Sequence, residues 1–315
     1  MIYRVLQYGS DGDLKVAIRQ LMPLGCQGLI QSEEWFQWRY TQNPSGKAII
    51  VGAFENERMV ACMVVELFCL VRSDNQYLCG CVSVVAIMDG FEKKKILLDL
   101  TTVAEKEAKI RGLDLLFAFD NEYNQLREAD VEWDFNTVEM HHEVLTLKPI
   151  RSIFRLSDIR KAFVPNRCVA YHPVGVETLR FDELAKGSDD YVGRLITPDM
   201  LRWLITFTDK EYVVIDNNDV TVIAIVGRRG KQKDVNLLTS YSKMDGVNPK
   251  MCQKGILESI GKMNTPDEVS SVVGEQLLAG GGLLKSSSKL YYAYKVLKDG
   301  VEREGELATA IHRWL

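Results

Sequence analysis

The chain has 315 residues, 46% hydrophobic and 26% charged, with a net charge of −4; at roughly 150 residues per domain this predicts two domains of ordinary globular composition. There is no basic excess to neutralise a phosphate backbone, which disfavours general nucleic-acid binding. No apolar run reaches the roughly 18 residues of a membrane span, because the longest, Met59 to Val71, is cut by Glu66.

The first residues, 1–9, read as a strand. Ser10 or Asp11 can cap a helix running to about Leu24, with Gly25 behind it as a stop. Ser32-Glu33-Glu34 opens a second, short helix, because its hydroxyl caps the helix and its acids suit the positive end of the dipole. That helix carries Trp35, Phe36, Trp38 and Tyr40 and is broken at Asn43-Pro44-Ser45-Gly46. Strands Ala48–Glu55 and Arg58–Val71 meet at a hairpin turn, Asn56-Glu57, and Tyr77–Met88 is the third strand. After the loop Asp89-Gly90-Phe91-Glu92-Lys93-Lys94-Lys95, Ile96, Leu100, Val103 and Ile110 recur at helical spacing up to Gly112. Leu113–Phe119, apolar at every position but Asp114, reads as a strand buried on both faces, and Val138–Leu147 is another strand. Meandering strands followed by a strand–helix–strand crossover predict an α/β fold with a mixed sheet.

The order then repeats. Thr197-Pro198-Asp199 starts a helix carrying Leu201, Trp203 and Leu204. Strands Glu211–Asp216 and Val220–Arg228 turn at Asn217-Asn218, and Asp234–Tyr241 precedes a helix from about Pro249 to Met263. Val269–Val273 and Lys289–Leu297 are the last strands. The expected organisation is two halves, 1–149 and 176–315, with 150–175 as connector.

Several segments of the first half are similar to one superfamily. They are Trp38-Arg39-Tyr40 with Asn43-Pro44, the strand Gly80-Cys81-Val82-Ser83-Val84-Val85-Ala86-Ile87, and Leu116-Phe117-Ala118-Phe119-Asp120-Asn121 followed by Trp133. In these the chain resembles the GNAT superfamily of acyl-CoA-dependent N-acyltransferases in a tandem arrangement, over residues 1–149 and more faintly over 176–315. The resemblance implies an acyl-CoA such as acetyl-CoA as cofactor and a small-molecule primary amine as acceptor: an amino sugar, an amino acid or a modified nucleobase. It implies a bulged fourth strand whose Val85, Ala86 and Ile87 meet the pantetheine arm, with Asn121 and Tyr123 beside the arm and the thioester. It also implies a pyrophosphate cradle at the start of the following helix, at Lys93, Lys94, Lys95 and Ile96. The family's cradle carries glycines, which let phosphate approach the backbone. Glu92-Lys93-Lys94-Lys95-Ile96 has none, although three lysines at a helix N-terminus make an anion site of another kind. Either CoA binds through lysines in an altered loop, or the cofactor has been lost.

Acylation of an amine needs a base for the ammonium and an acid for the leaving thiolate. Tyr123, and less well Tyr77, are candidate acids, and Tyr123 also reads as an ordinary half-buried phenol. Glu66, alone in an apolar strand, and Asp89, at a strand end, are candidate bases. Glu66 either faces solvent or is a buried carboxylate able to take a proton near neutrality. The aromatic residues 35–40 either line an acceptor pocket or pack in the core. Cys79 and Cys81 share a strand face with no second pair at zinc spacing. His141 and His142 are neighbours on a strand and point to opposite faces. Gly280-Gly281-Gly282 lacks the Gly-Lys-Ser/Thr of a phosphate loop. Seven cysteines, an odd number, and no charged-then-apolar leader at Met1-Ile2-Tyr3-Arg4 predict a reduced, cytoplasmic protein. The alternative to an enzyme is a catalytically silent protein on the same fold, part of a larger assembly.

Overall fold

Long, nearly continuous apolar runs make strands covered on both faces, and a helix with one apolar stripe covers one of those faces. The computed structural model describes residues 1–8, 12, 17, 21, 33–72, 75–121, 136–147, 172–174, 193–195, 197–206, 210–216, 220–229, 232–242, 269–273 and 284–298. The helices expected over 11–24 and 249–263, Tyr123, Trp133 and Gly280–Gly282 lie wholly or mostly outside these residues.

The elements are β1 (Ile2–Val5), α1 (Glu33–Phe36) running into a π-helical turn (Gln37–Thr41), β2 (Ile49–Glu55), β3 (Arg58–Arg72), β4 (Asn75–Ile87), α2 (Lys93–Ile110), β5 (Leu115–Asn121) and β6 (Asn136–Leu147). They continue with β7 (His172–Val174), β8 (Gly193–Arg194), α3 (Pro198–Thr206), β9 (Lys210–Asp216), β10 (Val220–Arg229), β11 (Gln232–Ser242), β12 (Val269–Val273) and β13 (Leu284–Val296).

Two compact units form, residues 1–140 with 290–309, and residues 141–289 with 310–315. In the first, β1, β2, β3 and β4 pair antiparallel in that order. β5 then joins β4 in parallel, and residues Leu290–Val296 of β13 join β5 antiparallel. In the second, β7, β9, β10 and β11 are antiparallel neighbours, β12 joins β11 in parallel, and β6 joins β12 antiparallel through Val144–Leu147. The two units thus repeat one order of strand directions.

This division differs from the expected halves 1–149 and 176–315. β5 is apolar on both faces and needs a partner on its outer edge; β13, from the far end of the chain, supplies it. Conversely, β6 pairs with β12 of the second unit. The expected connector also contains a strand, β7.

In the first unit, Ile96, Leu97, Leu100, Ala104 and Ala108 of α2 pack on Ile49, Val51, Ala53, Ala61, Met63, Val65 and Leu67 of β2 and β3. The other face of those strands, through Ile50, Cys62 and Val64, meets Phe36 and Tyr40 together with Leu6. The hairpin at Asn56-Glu57 forms as expected, with both residues at positive φ, +49° and +65°. Gly112 (φ +75°) ends α2, and the Leu113 N–H returns to the Ala108 carbonyl. In the second unit, Thr197 caps α3: its Oγ1 accepts the Met200 N–H at 3.1 Å.

Candidate functional site

Three local events in the first unit shape the site. The first is a bulge. Val64 pairs with Val84 and Val65 with Val82, so Ser83 is an extra residue in β4. Its hydroxyl oxygen is buried and has no hydrogen-bond partner among the described residues. The second unit has a bulge at the matching strand: Ile223 pairs with Thr239 and Ala224 with Leu237, which leaves Leu238 over in β11.

The second event is a seam. The parallel β4–β5 ladder runs from Cys79↔Leu115 only to Val82↔Ala118. β4 continues to Ile87, paired with β3 alone, and β5 continues to Asn121, paired with β13 alone. Val85, Ala86 and Ile87 therefore sit on the opened edge, where every second residue turns a backbone N–H and C=O away from β3. Val85 and Ile87 pack toward α2, and Ala86 toward the opposite face. Asn121 is the last residue of β5, level with Leu290.

The third event is the start of α2. β4 leads through Asp89 and Gly90 (φ +90°) to Glu92, which makes no side-chain cap. The Ile96 N–H is the first to close the helix, onto the Glu92 carbonyl at 3.2 Å. The amides of Lys93, Lys94 and Lys95 thus occupy the first turn, where a helix leaves donors for an anion. All three lysine residues are exposed. The open end of a parallel strand pair beside a helix N-terminus is where α/β sheets take ligands. Asp89 is fully exposed and lies 3.8 Å from the Lys93 ammonium; as a base it would have water on every side.

On the face of the sheet opposite α2 stands Glu66. Its solvent-facing reading is overturned: the residue is 3% exposed. Arg39, in the π-helical turn, donates from Nε (3.1 Å) and Nη2 (3.0 Å), both to Glu66 Oε2. Cys81 is directly across from Glu66 in the β3–β4 ladder and across from Phe117 in the β4–β5 ladder. Burial works against the Arg39 charge, but the Glu66 carboxylate, with Tyr40 and Cys81 nearby, outweighs it and raises the Arg39 pKa. Burial pushes the Cys81 thiol up, with Glu66 adding to the shift, so the thiol stays protonated and unreactive.

Asn43 fastens the same turn one residue further along β3. Its Nδ2 donates to the Leu67 carbonyl at 2.9 Å, and its Oδ1 accepts the Ser45 N–H at 2.9 Å. Phe36, Trp38 and Tyr40 are buried, as core packing requires, whereas half-buried Trp35 lies under the Arg39 guanidinium, 5.3 Å from ring centroid to the guanidinium carbon. Among the described residues no group of acidic, histidine or cysteine side chains could hold a metal ion. No helix among them is long and apolar enough to cross a membrane.

Sequence reasoning noticed Glu66 but not its partner, and not the bulge residue Ser83. The signal for Arg39 was present: a lone cation among aromatic residues and a lone anion in an apolar strand are two charges that need each other.

No protein-family model matches the chain. No curated protein matches it in sequence. Solved structures do match. A GCN5-related N-acetyltransferase from Anabaena variabilis is similar with a TM-score of 0.61 at 8% identity, over 94% of this chain and 73% of that one. A second GCN5-related N-acetyltransferase, from Kribbella flavida, gives 0.59 at 10% identity over 94% and 72%. Eis1 from Mycobacterium abscessus gives 0.57 at 10% identity over 94% and 74%. The chain has the mixed α/β fold of these GCN5-related N-acetyltransferases.

Proposed function

We propose that the protein is an acyl-CoA-dependent N-acyltransferase that moves an acetyl or similar acyl group to a primary amine. The observation that carries the reading is the seam between β4 and β5, closed up to Val82↔Ala118 and open beyond it, with the bulge at Ser83 beside it. An extended ligand arm fits there. The opened edge of β4 offers backbone groups at Val85, Ala86 and Ile87, and Ser83 has a buried hydroxyl with no partner among the described residues. Asn121 would stand at the end of the facing strand. The diphosphate would meet Lys93, Lys94, Lys95 and the amides up to Ile96.

Acyl-CoA, when bound, supplies the acyl group as an activated thioester. The chain's own residues have three tasks: to hold the arm extended, to take a proton from the ammonium and to give one to the leaving sulfur. Glu66 is the base we favour, because it is buried near the seam; Asp89 is the weaker choice because of its exposure. Tyr123, two residues beyond the end of β5, is the proposed acid. The repeated strand order and the repeated bulge support a second, divergent GNAT-like unit. Cys69, Cys79 and Cys81 are free thiols, which suits a reduced cytoplasmic setting.

A second reading is a catalytically silent binding or structural protein on the same fold. One observation favours it: residues Glu92 to Ile96 include no glycine to admit a phosphate to the backbone. Thermal unfolding with and without acetyl-CoA separates the two. A ligand at 100 times its dissociation constant adds about 2.7 kcal/mol of stability. A clear upward shift supports the enzyme; no shift at millimolar acetyl-CoA, with no heat of binding, supports the silent protein.

A further inference from the structure

The Arg39–Glu66 pair is only half used. Both guanidinium contacts converge on Oε2 of Glu66. Among the described residues nothing bonds to Glu66 Oε1, and nothing bonds to Arg39 Nη1. The Arg39 side chain is 33% exposed and the Glu66 side chain 4%, so the pair borders solvent on its arginine side. Trp35 and Tyr40 flank the guanidinium, with centroids 5.3 and 5.7 Å from its central carbon, and hold its plane. The pair stands at the Glu66↔Cys81 register, and the β4–β5 ladder ends at the next residue of β4, Val82.

A neutral pair with one unused acceptor and one unused donor is poorly matched to a simple cation or a simple anion, each of which meets a repelling partner. It is matched to a molecule that carries both charges. We propose that the unused ends of Arg39 and Glu66 recognise the acceptor, and that the acceptor is a zwitterion of the amino-acid class, with its ammonium on Glu66 Oε1 and its carboxylate on Arg39 Nη1. This rests on the acyltransferase reading and narrows it. Among amino sugars, nucleobases and amino acids, only the last carry a carboxylate beside the amine. Arg39 is then a specificity residue, and Glu66 both holds the ammonium and faces its proton.

The test is calorimetric titration of the full chain with the free amino acids, their carboxamides and their decarboxylated amines, alongside a separate titration with acetyl-CoA. At least one free amino acid is expected to bind at least tenfold tighter than its own carboxamide and its own decarboxylated amine. Arg39→Gln should erase that preference, and Arg39→Lys should keep part of it. Equal affinity across the three forms, or no amino-acid binding at millimolar concentration, overturns the proposal. Acetyl-CoA binding without amino-acid binding overturns it while sparing the acyltransferase reading. Amino-acid binding without acetyl-CoA binding keeps the zwitterion site and overturns the acyltransferase reading. If Arg39→Gln fails to fold, the wild-type comparison of the three forms decides alone.

Discussion

Arg39 and Glu66, 27 residues apart, meet through two hydrogen bonds on one carboxylate oxygen and so lock the π-helical turn onto the middle of β3. The next residue of β3, Leu67, is held by Asn43 from the same turn. Two consecutive strand positions thereby fix that segment on the sheet. π-Helical turns are frequent at functional sites because they place side chains where a regular helix would not.

Removing one member of this pair strands the other. Arg39→Ala should destabilise the protein by about 3 kcal/mol, the lower end for a buried pair because the arginine is partly exposed. Arg39→Met combined with Glu66→Leu should cost less than the sum of the single changes, because no uncompensated charge is left. Urea unfolding of the single and double variants checks the cycle; additive losses would show that the pair contributes no coupling.

Gly80 lies where β4, β3 and β5 meet. A Cβ there would stand 2.7 Å from Val65 Cγ1 and 2.8 Å from Leu113 Cδ2 and from Leu116 Cδ2. Gly80→Ala should therefore destabilise by about 1–3 kcal/mol through overpacking. A change in denaturation midpoint at constant slope would report it, and an unchanged midpoint would mean that the neighbours yield freely.

If the lysines at the start of α2 receive the diphosphate, their charge carries much of the affinity. Lys94→Ala/Lys95→Ala should weaken acetyl-CoA binding by about tenfold or more, and wild-type affinity should fall with added salt. Stability should change little, because positive charges at a helix N-terminus oppose its dipole. Calorimetry at two salt concentrations decides; equal binding by both proteins removes the lysines from the site.

Glu105 joins α2 to β13, bonded to Lys109 at 2.6 Å and Lys295 at 3.0 Å. Burial pushes its carboxyl up, but the hydrogen bonds and charges of the two lysines outweigh this and hold the pKa below the ordinary value. As pH falls, the unfolded chain takes up the proton before the folded one. The contribution is therefore complete above the ordinary carboxylate value of about 4.3 and is lost as pH falls through the folded value. Glu105→Gln should lose about 1 kcal/mol at pH 7, with the gap to wild type shrinking in acid. A gap independent of pH would assign the link to packing rather than charge.

Local chemistry in the sequence was enough for the strand–hairpin–helix order of the first unit. Long apolar segments and the turn between the first two marked β2, β3 and β4. Asn56 tolerates positive φ and opens the hairpin turn that Glu57 completes, and Gly112 stops α2 in the left-handed region, so these boundaries depend on a few neighbouring residues. The segment Leu113–Phe119, apolar at every position but Asp114, likewise announced a strand covered on both faces, and Leu115 to Ala118 are all buried. Other features depend on residues far apart in the chain, which no local pattern encodes. β13 completes the first unit beside β5, and β6 completes a sheet beside β12, because an unpaired strand edge takes whichever strand the whole chain brings to it. The bulge at Ser83 exists only relative to the register of β3. The seam exists only because β4 and β5 part after Val82 and Ala118 while each keeps its other neighbour. Glu66 as a sequence letter was a lone charge in an apolar strand. Its burial and its partner were decided by the packing of a turn 27 residues away, because a buried carboxylate needs an opposite charge and only the tertiary structure brings one within 3.0 Å.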